Sequence, residues 1–191
     1  MQSSLLKTVK NQVKIIGGQW KRKNVSFVDA PGLRPTPSRV RETLFNWLDQ
    51  DLTGKICLDL FSGSGIIGFE SLSRGASNVV MVEKSPQVFK MIQKNKKLLQ
   101  AEKAQLHFMD ALLFLKNSDA KFDIIFCDPP FNEGWEDKLF PQLANHLTKD
   151  GLIYFESESV LTEHNEFNVL KKRKAGNVFY HLVTLKNNES I

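Results

Sequence analysis

The sequence predicts an α/β protein built on a doubly wound, mostly parallel sheet. Two observations carry this. From Lys55 onward, short runs of Val, Ile, Leu and Phe alternate with helical segments, as expected for strands covered on both faces by crossover helices. The first run also leads into Gly63-Ser64-Gly65-Ile66-Ile67-Gly68, a glycine-rich turn of the kind that opens a helix beside a ligand.

The elements follow in order. Val13-Lys14-Ile15-Ile16 and Val25-Ser26-Phe27-Val28 form a small N-terminal β-hairpin, joined through Gly17-Gly18 and the basic Lys21-Arg22-Lys23. Thr36-Pro37 supplies a capping hydroxyl and a proline for the first helical position. Val40, Leu44, Trp47 and Leu48 then recur at helical spacing, with Arg39 and Arg41 off that stripe. Strand Ile56–Leu60 precedes a helix from Ile66 to Arg74, and strand Val79–Val82 precedes a long helix from Ser85 to Leu99 with Val88, Ile92 and Leu99 on one face. Strand Gln105–Phe108 leads to a short helix, Ala111–Lys116, and strand Phe122–Cys127 to a helix from Glu136 to His146. A strand at Gly151–Phe155 is followed by two closing strands, Phe167–Arg173 and Val178–Leu185, which meet at the turn Ala175-Gly176-Asn177.

A chain of 191 residues suits one domain with a small appendage. It has no apolar run long enough to span a bilayer, and its polar, basic start lacks the apolar core of a signal peptide. Cys57 and Cys127 lie inside apolar strands and are expected as buried, reduced thiols, which suits a cytoplasmic protein. Charge is uneven. Residues 1–50 hold nine Lys/Arg against three Asp/Glu, a net of +6; the whole chain is +5, which leaves residues 51–191 at −1. A basic segment on a neutral body fits a phosphate-backbone partner. Residues 1–50 are therefore read as a nucleic-acid-contacting extension and 51–191 as the ligand-binding domain, with Lys21, Arg22, Lys23, Arg34, Arg39 and Arg41 as candidate phosphate contacts, Arg39 and Arg41 being able to reach a cofactor carboxylate instead.

The glycine loop fits two ligands. With Glu83 closing the next strand it spells the dinucleotide fingerprint and its ribose acid. Asp59, just before the loop, would repel a pyrophosphate but suits a ligand bearing an ammonium and a sulfonium. S-adenosylmethionine has both and no phosphate. Asp110, after the third strand, adds an acceptor for an adenine amine, with the Ala111 backbone beside it, and can cap the following helix at the same time. The three acids favour S-adenosylmethionine over NAD.

Asp128-Pro129-Pro130-Phe131 stands at the end of an apolar strand. The carboxylate and the Pro129 carbonyl can accept the two hydrogens of an exocyclic amine, while the aromatic ring stacks on the base. The prolines fix the backbone that aims those acceptors. The implied chemistry is alkylation of a nucleobase amine. No metal is expected, because His107, His146, His164 and His181 show no ligand spacing.

Several blocks resemble the bacterial small-subunit ribosomal RNA guanine-N2 methyltransferases of the RsmD type. They are Ile15-Ile16-Gly17-Gly18-Gln19-Trp20, Arg34-Pro35-Thr36, Arg39 to Leu48, Leu58 to Gly65 with Glu70 and Leu72 to Ala76, Val82-Glu83, and Asp128 to Phe131. The resemblance runs from about Val13 to Tyr180, and departs most at Asn132-Glu133-Gly134-Trp135 and past Glu158. It implies a Rossmann-like, seven-stranded S-adenosylmethionine-dependent methyltransferase fold with one antiparallel strand near the C-terminal end. It also implies methyl transfer to a guanine N2 amine of 16S ribosomal RNA, in an assembled or partly assembled small subunit, by a monomer. By position, Asp59, Gly63 and Gly65 would hold the methionine part of the cofactor, Glu83 the ribose, and Asp110 with Ala111 the adenine, with Phe61 also contacting the cofactor. Asp128 and the Pro129 carbonyl would bind the target amine, with Pro130 part of the same catalytic turn, Phe131 stacking and the Trp135 loop closing over the base. A DNA or protein amino-methyltransferase, or a non-catalytic RNA-binding assembly factor, stays open as an alternative.

Overall fold

The computed structural model describes residues 11–30, 33–131, 134–161 and 166–186. Strands β1 (Asn11–Lys14) and β2 (Asn24–Phe27) pair antiparallel, followed by α1 (Ser38–Trp47). Strand β3 (Ile56–Asp59), α2 (Ile66–Ser73), β4 (Asn78–Glu83), α3 (Pro86–Leu99), β5 (Ala104–Phe108), α4 (Ala111–Lys116), β6 (Phe122–Cys127) and α5 (Trp135–Leu143) then alternate. A 3-10 turn, Ala144–His146, leads into β7 (Leu147–Ser157), and β8 (Phe167–Ala175) and β9 (Val178–Leu185) close the chain.

The large sheet has seven strands, as the resemblance implied, and their order is β5-β4-β3-β6-β7-β9-β8. Strands β5, β4, β3, β6 and β7 are mutually parallel; β9 runs antiparallel to both neighbours. Chain order reverses between β3 and β6, so their carboxyl ends flank the topological switch, where ligands bind in open α/β sheets.

Alternation along the strands explains why both faces are covered. Cys57, Val79, Met81, Ile124, Phe126, Tyr154 and Leu182 enter one core, closed by the hairpin, α1, α2 and α3. Their neighbours Leu58, Val80, Val82, Ile125, Ile153, Phe155 and Val183 enter the other, closed by α4 and α5. The hairpin and α1 share the first core, with Ile15, Val25, Leu44 and Phe45 wholly buried in it. Both cysteines are free and buried, and no helix among the described residues is long and apolar enough to cross a membrane.

Local features differ from the sequence reading: β7 spans Leu147–Ser157 rather than Gly151–Phe155, the helix expected to reach His146 gives way to a 3-10 turn after Leu143, and β8 includes Ala175. Pro37 is the N-cap of α1 rather than its first helical residue, and among the described residues no side chain caps that end. The Thr36 hydroxyl therefore does not cap; the residue is buried and its carbonyl accepts from Arg41 Nε at 3.0 Å. The ladder of the hairpin ends earlier than expected because the chain turns at Ile15, whose N–H donates to Lys23 O at 3.0 Å. Trp135 begins α5 rather than lying in a loop, while Asn132 and Glu133 fall outside the described residues.

Candidate active site

Each of β3, β4, β5, β6 and β7 has a carboxylate at or within two residues of its carboxyl end. Asp59 closes β3 and pairs across to Phe126, two residues before Asp128. On the other side Asp59 pairs with Met81, two residues before Glu83, and Glu83 pairs with Phe108, two residues before Asp110. Cys127 pairs with Phe155, so Asp128 lies level with Glu156 on β7. Asp110, Glu83, Asp59, Asp128 and Glu156 thus form one row along the carboxyl edge of the sheet.

The glycine loop folds over the middle of that row. Gly63 and Gly65 both have positive φ, +49° and +77°, and a Cβ on Gly65 would press against Met81 and Phe69. Only glycine fits there without strain. Gly65 is the N-cap of α2, and side chains already take first-turn N–H groups of that helix, Ile66 N donating to Ser64 Oγ at 3.3 Å and Gly68 N to Asp59. Glu83 ties the loop to β4: Oε2 accepts from Gly63 N at 3.0 Å and Oε1 from Ser85 N at 2.7 Å. The Asp110 carboxylate caps α4, with Oδ1 accepting from Leu112 N at 2.9 Å and Leu113 N at 3.3 Å. Ala111 beside it is buried.

Asp59 is 4% exposed, and Oδ2 accepts from Gly68 N at 3.1 Å. Burial pushes its carboxyl up to about 7; the Gly68 N–H opposes this and the Glu83 charge adds to it. A buried carboxyl that lacks a cation is the electrostatic complement of a positively charged ligand.

Asp128 stands level with a second buried carboxyl that the sequence reading missed. Burial raises the Asp128 pKa well above the usual range, and the Glu156 and Asp59 charges raise it further. Burial also raises Glu156, opposed by the Tyr154 hydroxyl, which donates to Glu156 Oε1 at 2.6 Å. Two such carboxyls on adjacent strands resist ionising together, so the pair retains a proton where isolated acids have lost theirs. Pro129 is buried, while Pro130 is exposed and Phe131 is 41% exposed, a large ring open to stacking. Behind the turn, Phe61 meets Trp135 edge-on at 5.1 Å, and the buried Trp135 indole N–H has no partner among the described residues. A sequence signal for Glu156 exists: like the other four acids, it closes an apolar strand.

The basic candidates separate. Lys21, Arg22, Lys23, Arg34 and Arg39 are exposed. Arg41 is not: it is 1% exposed, pairs with the wholly buried Glu70, and donates from Nη2 to Lys14 O at 3.0 Å. It was expected to reach a phosphate, but its three bonds hold the hairpin, the segment before α1 and α2 together. The Lys21–Lys23 turn is anchored at the far end of α2, where Ser73 O accepts from Gln19 N at 2.8 Å and Ser73 Oγ from Trp20 N at 2.9 Å. An eight-residue helix is about 12 Å long, so this turn sits a helix length from the carboxyl row. Among the described residues no group of three His, Cys, Asp or Glu side chains can hold a metal ion. His146 lies between the Ala120 and Leu115 carbonyls, each at 3.0 Å; His181 ties Leu161 N to β7, and His164 is outside the described residues.

Comparison with known proteins gives a consistent result. The family described as conserved hypothetical protein 95 matches residues 13–184. Ribosomal RNA small subunit methyltransferase D of Escherichia coli K12 is 39% identical over 176 residues, 90% of this chain and 89% of its own length. The Haemophilus influenzae protein of the same name is 38% identical over 182 residues, 91% of this chain and 94% of its own. A solved E. coli structure, described as a candidate methyltransferase, yhhF, superposes with a TM-score of 0.82 at 38% identity, covering 92% of this chain and 99% of that one. The chain belongs to the conserved hypothetical protein 95 family, which it shares with the ribosomal RNA small subunit methyltransferase D proteins.

Proposed function

We propose that the protein transfers a methyl group from S-adenosylmethionine to the exocyclic N2 amine of a guanine in 16S ribosomal RNA. The observation that carries this reading is the Asp128-Pro129-Pro130-Phe131 turn, set at the switch point beside Asp59 and the glycine loop. The names of the relatives supply the substrate class.

The residues present fit the cofactor. Asp59 offers a carboxyl to its amino acid part, and the Gly63–Gly65 turn, whose own N–H groups are held by Glu83 and the Ser62 carbonyl, lets the backbone approach it closely, with Phe61 as an apolar wall. Glu83 is poised for ribose hydroxyls, and Asp110 with Ala111 for adenine. When bound, the cofactor supplies an electrophilic methyl on a cationic sulfur. The chain does the rest by positioning. Asp128 and the Pro129 carbonyl accept the two amine hydrogens, which favours a pyramidal nitrogen with its lone pair turned toward the glycine loop. Phe131 stacks on the base. The ionised Asp128 that accepts would be favoured by a cationic sulfur beside Asp59 and Asp128, against the burial and the Glu156 charge that raise its pKa. Such alignment can contribute about 7–11 kcal/mol of the barrier. Extruding the base costs a few kcal/mol, least for an unpaired one. Residues 1–50 serve as the RNA-contacting extension of the catalytic body 51–191, acting as a cytoplasmic monomer on an assembled or partly assembled small subunit.

The test is tritiated methyl transfer from S-adenosylmethionine into 16S ribosomal RNA, duplex DNA and protein, run side by side, with the labelled nucleoside identified by digestion. Label in N2-methylguanosine is expected. Label in DNA or protein, or none in any arm, overturns the reading.

A further inference from the structure

Strand β8 carries Lys171-Lys172-Arg173-Lys174, four consecutive exposed cations at the open edge of the seven-stranded sheet. None of the four is in an ion pair among the described residues. They stand on a body, residues 51–191, whose net charge is −1 (the chain's +5 less the +6 of residues 1–50).

Their placement is set by a register shift. Phe167 and Val169 pack into the core closed by α4 and α5. Regular alternation would put Lys171 and Arg173 on that same face. The pairing shifts between Val169 and Lys171 instead, so that Lys171 pairs with Leu182 and Arg173 with Tyr180. Leu182 and Tyr180 belong to the opposite core, with Tyr154 and Phe126. The irregularity therefore turns Lys171 and Arg173 onto the face that carries the site. Lys172 and Lys174 point the other way, Lys174 lying over the Phe179 ring at 4.7 Å.

On the site face a cross-strand row runs inward. Arg173 pairs with Tyr180, Tyr180 with Glu156, and Glu156 lies level with Asp128. Three strand spacings separate β8 from β6, about 14 Å. The Lys21–Lys23 turn, by contrast, sits at the other end of α2. Lysines and bulges on an edge strand also block edge-to-edge pairing, but that task is indifferent to the sign of the charge and to which face it takes.

We infer that Lys171 and Arg173 form a phosphate-binding lip that holds the RNA strand next to the base presented at Asp128. This rests on the RNA methyl-transfer reading. Removing one cation that neutralises a phosphate lowers the slope of log affinity against log salt by about 0.7–0.9.

The test is a salt titration of binding to a 16S ribosomal RNA transcript. The wild-type chain is compared with three double variants: Lys171→Gln/Arg173→Gln, Lys171→Glu/Arg173→Glu, and Lys172→Gln/Lys174→Gln. The first should shallow the slope by about 1.5. The second should bind more weakly still, yet stay monomeric, because an acidic edge remains guarded. The third should change the slope less than the first. Binding of S-adenosylmethionine to each variant reports folding. A Lys171→Glu/Arg173→Glu variant that folds and keeps wild-type RNA affinity overturns the lip, as does an equal effect from the Lys172/Lys174 pair. If the wild-type chain itself neither binds nor methylates the RNA, the underlying reading fails instead.

Discussion

Asp128 and Asp59 end neighbouring strands but face different tasks. Asp128 can orient an amine only while it accepts hydrogen bonds. Asp128→Ala should lower turnover on the order of 100-fold or more, as when one positioned polar group is removed from an active site. S-adenosylmethionine affinity should barely move, and Asp128→Asn, which keeps an acceptor oxygen, should fall between. Single-turnover kinetics with calorimetric binding checks this, and wild-type turnover in the alanine variant would remove Asp128 from the mechanism. Asp59 titrates near neutrality in the free chain. Its ordinary value is 3.8 and its folded value about 7, so the folded chain binds the extra proton between them. The contribution of Asp59 to stability accordingly declines as pH rises across that interval. A cationic ligand favours the ionised form. Affinity for S-adenosylmethionine should rise as pH passes through about 7, with proton release on binding, and Asp59→Asn should flatten that dependence. Calorimetry in buffers of different ionisation enthalpy measures both.

At the scale of elements, one buried ion cluster ties the N-terminal segment to the body. Glu70 accepts from Arg41 and, at 2.9 Å, from Arg74, whose guanidinium lies 4.4 Å above the Phe45 ring. Arg41 also holds the Thr36 and Lys14 carbonyls, so three acceptors converge on one planar fork. Lysine cannot reproduce that geometry. Arg41→Leu should cost about 3–5 kcal/mol of unfolding free energy, the usual result of breaking a buried pair from one side, and Arg41→Lys should recover little of it. Urea denaturation decides this; a loss of a few tenths would show that the cluster is not structural. The Gly17-Gly18 turn docks beside the same cluster, since a Cβ on Gly18 would overlap the Ser73 carbonyl. The resemblance blocks around Ile15–Trp20 and Arg34–Leu48 thus include positions that hold elements together.

At the scale of the whole molecule, charge and chemistry occupy different regions. Acids line the carboxyl edge, while exposed cations include those on the hairpin turn, before and within α1, along α3 and on β8. An anionic polymer is repelled from the acid row unless basic flanks hold it there, which makes binding dependent on salt. Affinity for 16S ribosomal RNA should fall steeply from about 50 to 200 mM salt. Changing Lys21, Arg22 and Lys23 together to Gln should shallow the slope by about 2. That change should raise KM for RNA more than it lowers kcat, because the turn lies a helix length from the carboxyl row. A salt-insensitive affinity would remove phosphate contact from the account of the N-terminal segment.

The sequence by itself determined the strand and helix order, because apolar runs covered on both faces and amphipathic helices leave different periodicities. Strand β6 and helix α4 have the expected bounds, and helices α2 and α3 fall within a residue of theirs. It also determined the glycine loop, the Asp128 turn and four of the five strand-end acids, since each is a local pattern at the close of an apolar run. Tertiary structure alone decided what sequence distance hides. Arg41 and Arg39 are two residues apart and chemically identical; packing against Glu70 buried one and left the other in solvent. Glu156 gains its meaning from lying level with Asp128 across two strands, which no local window contains. Lys171 and Arg173 face the site only because the β8 register shifts after Val169. A residue's type fixes what it can do, but its burial and its cross-strand neighbours decide what it does.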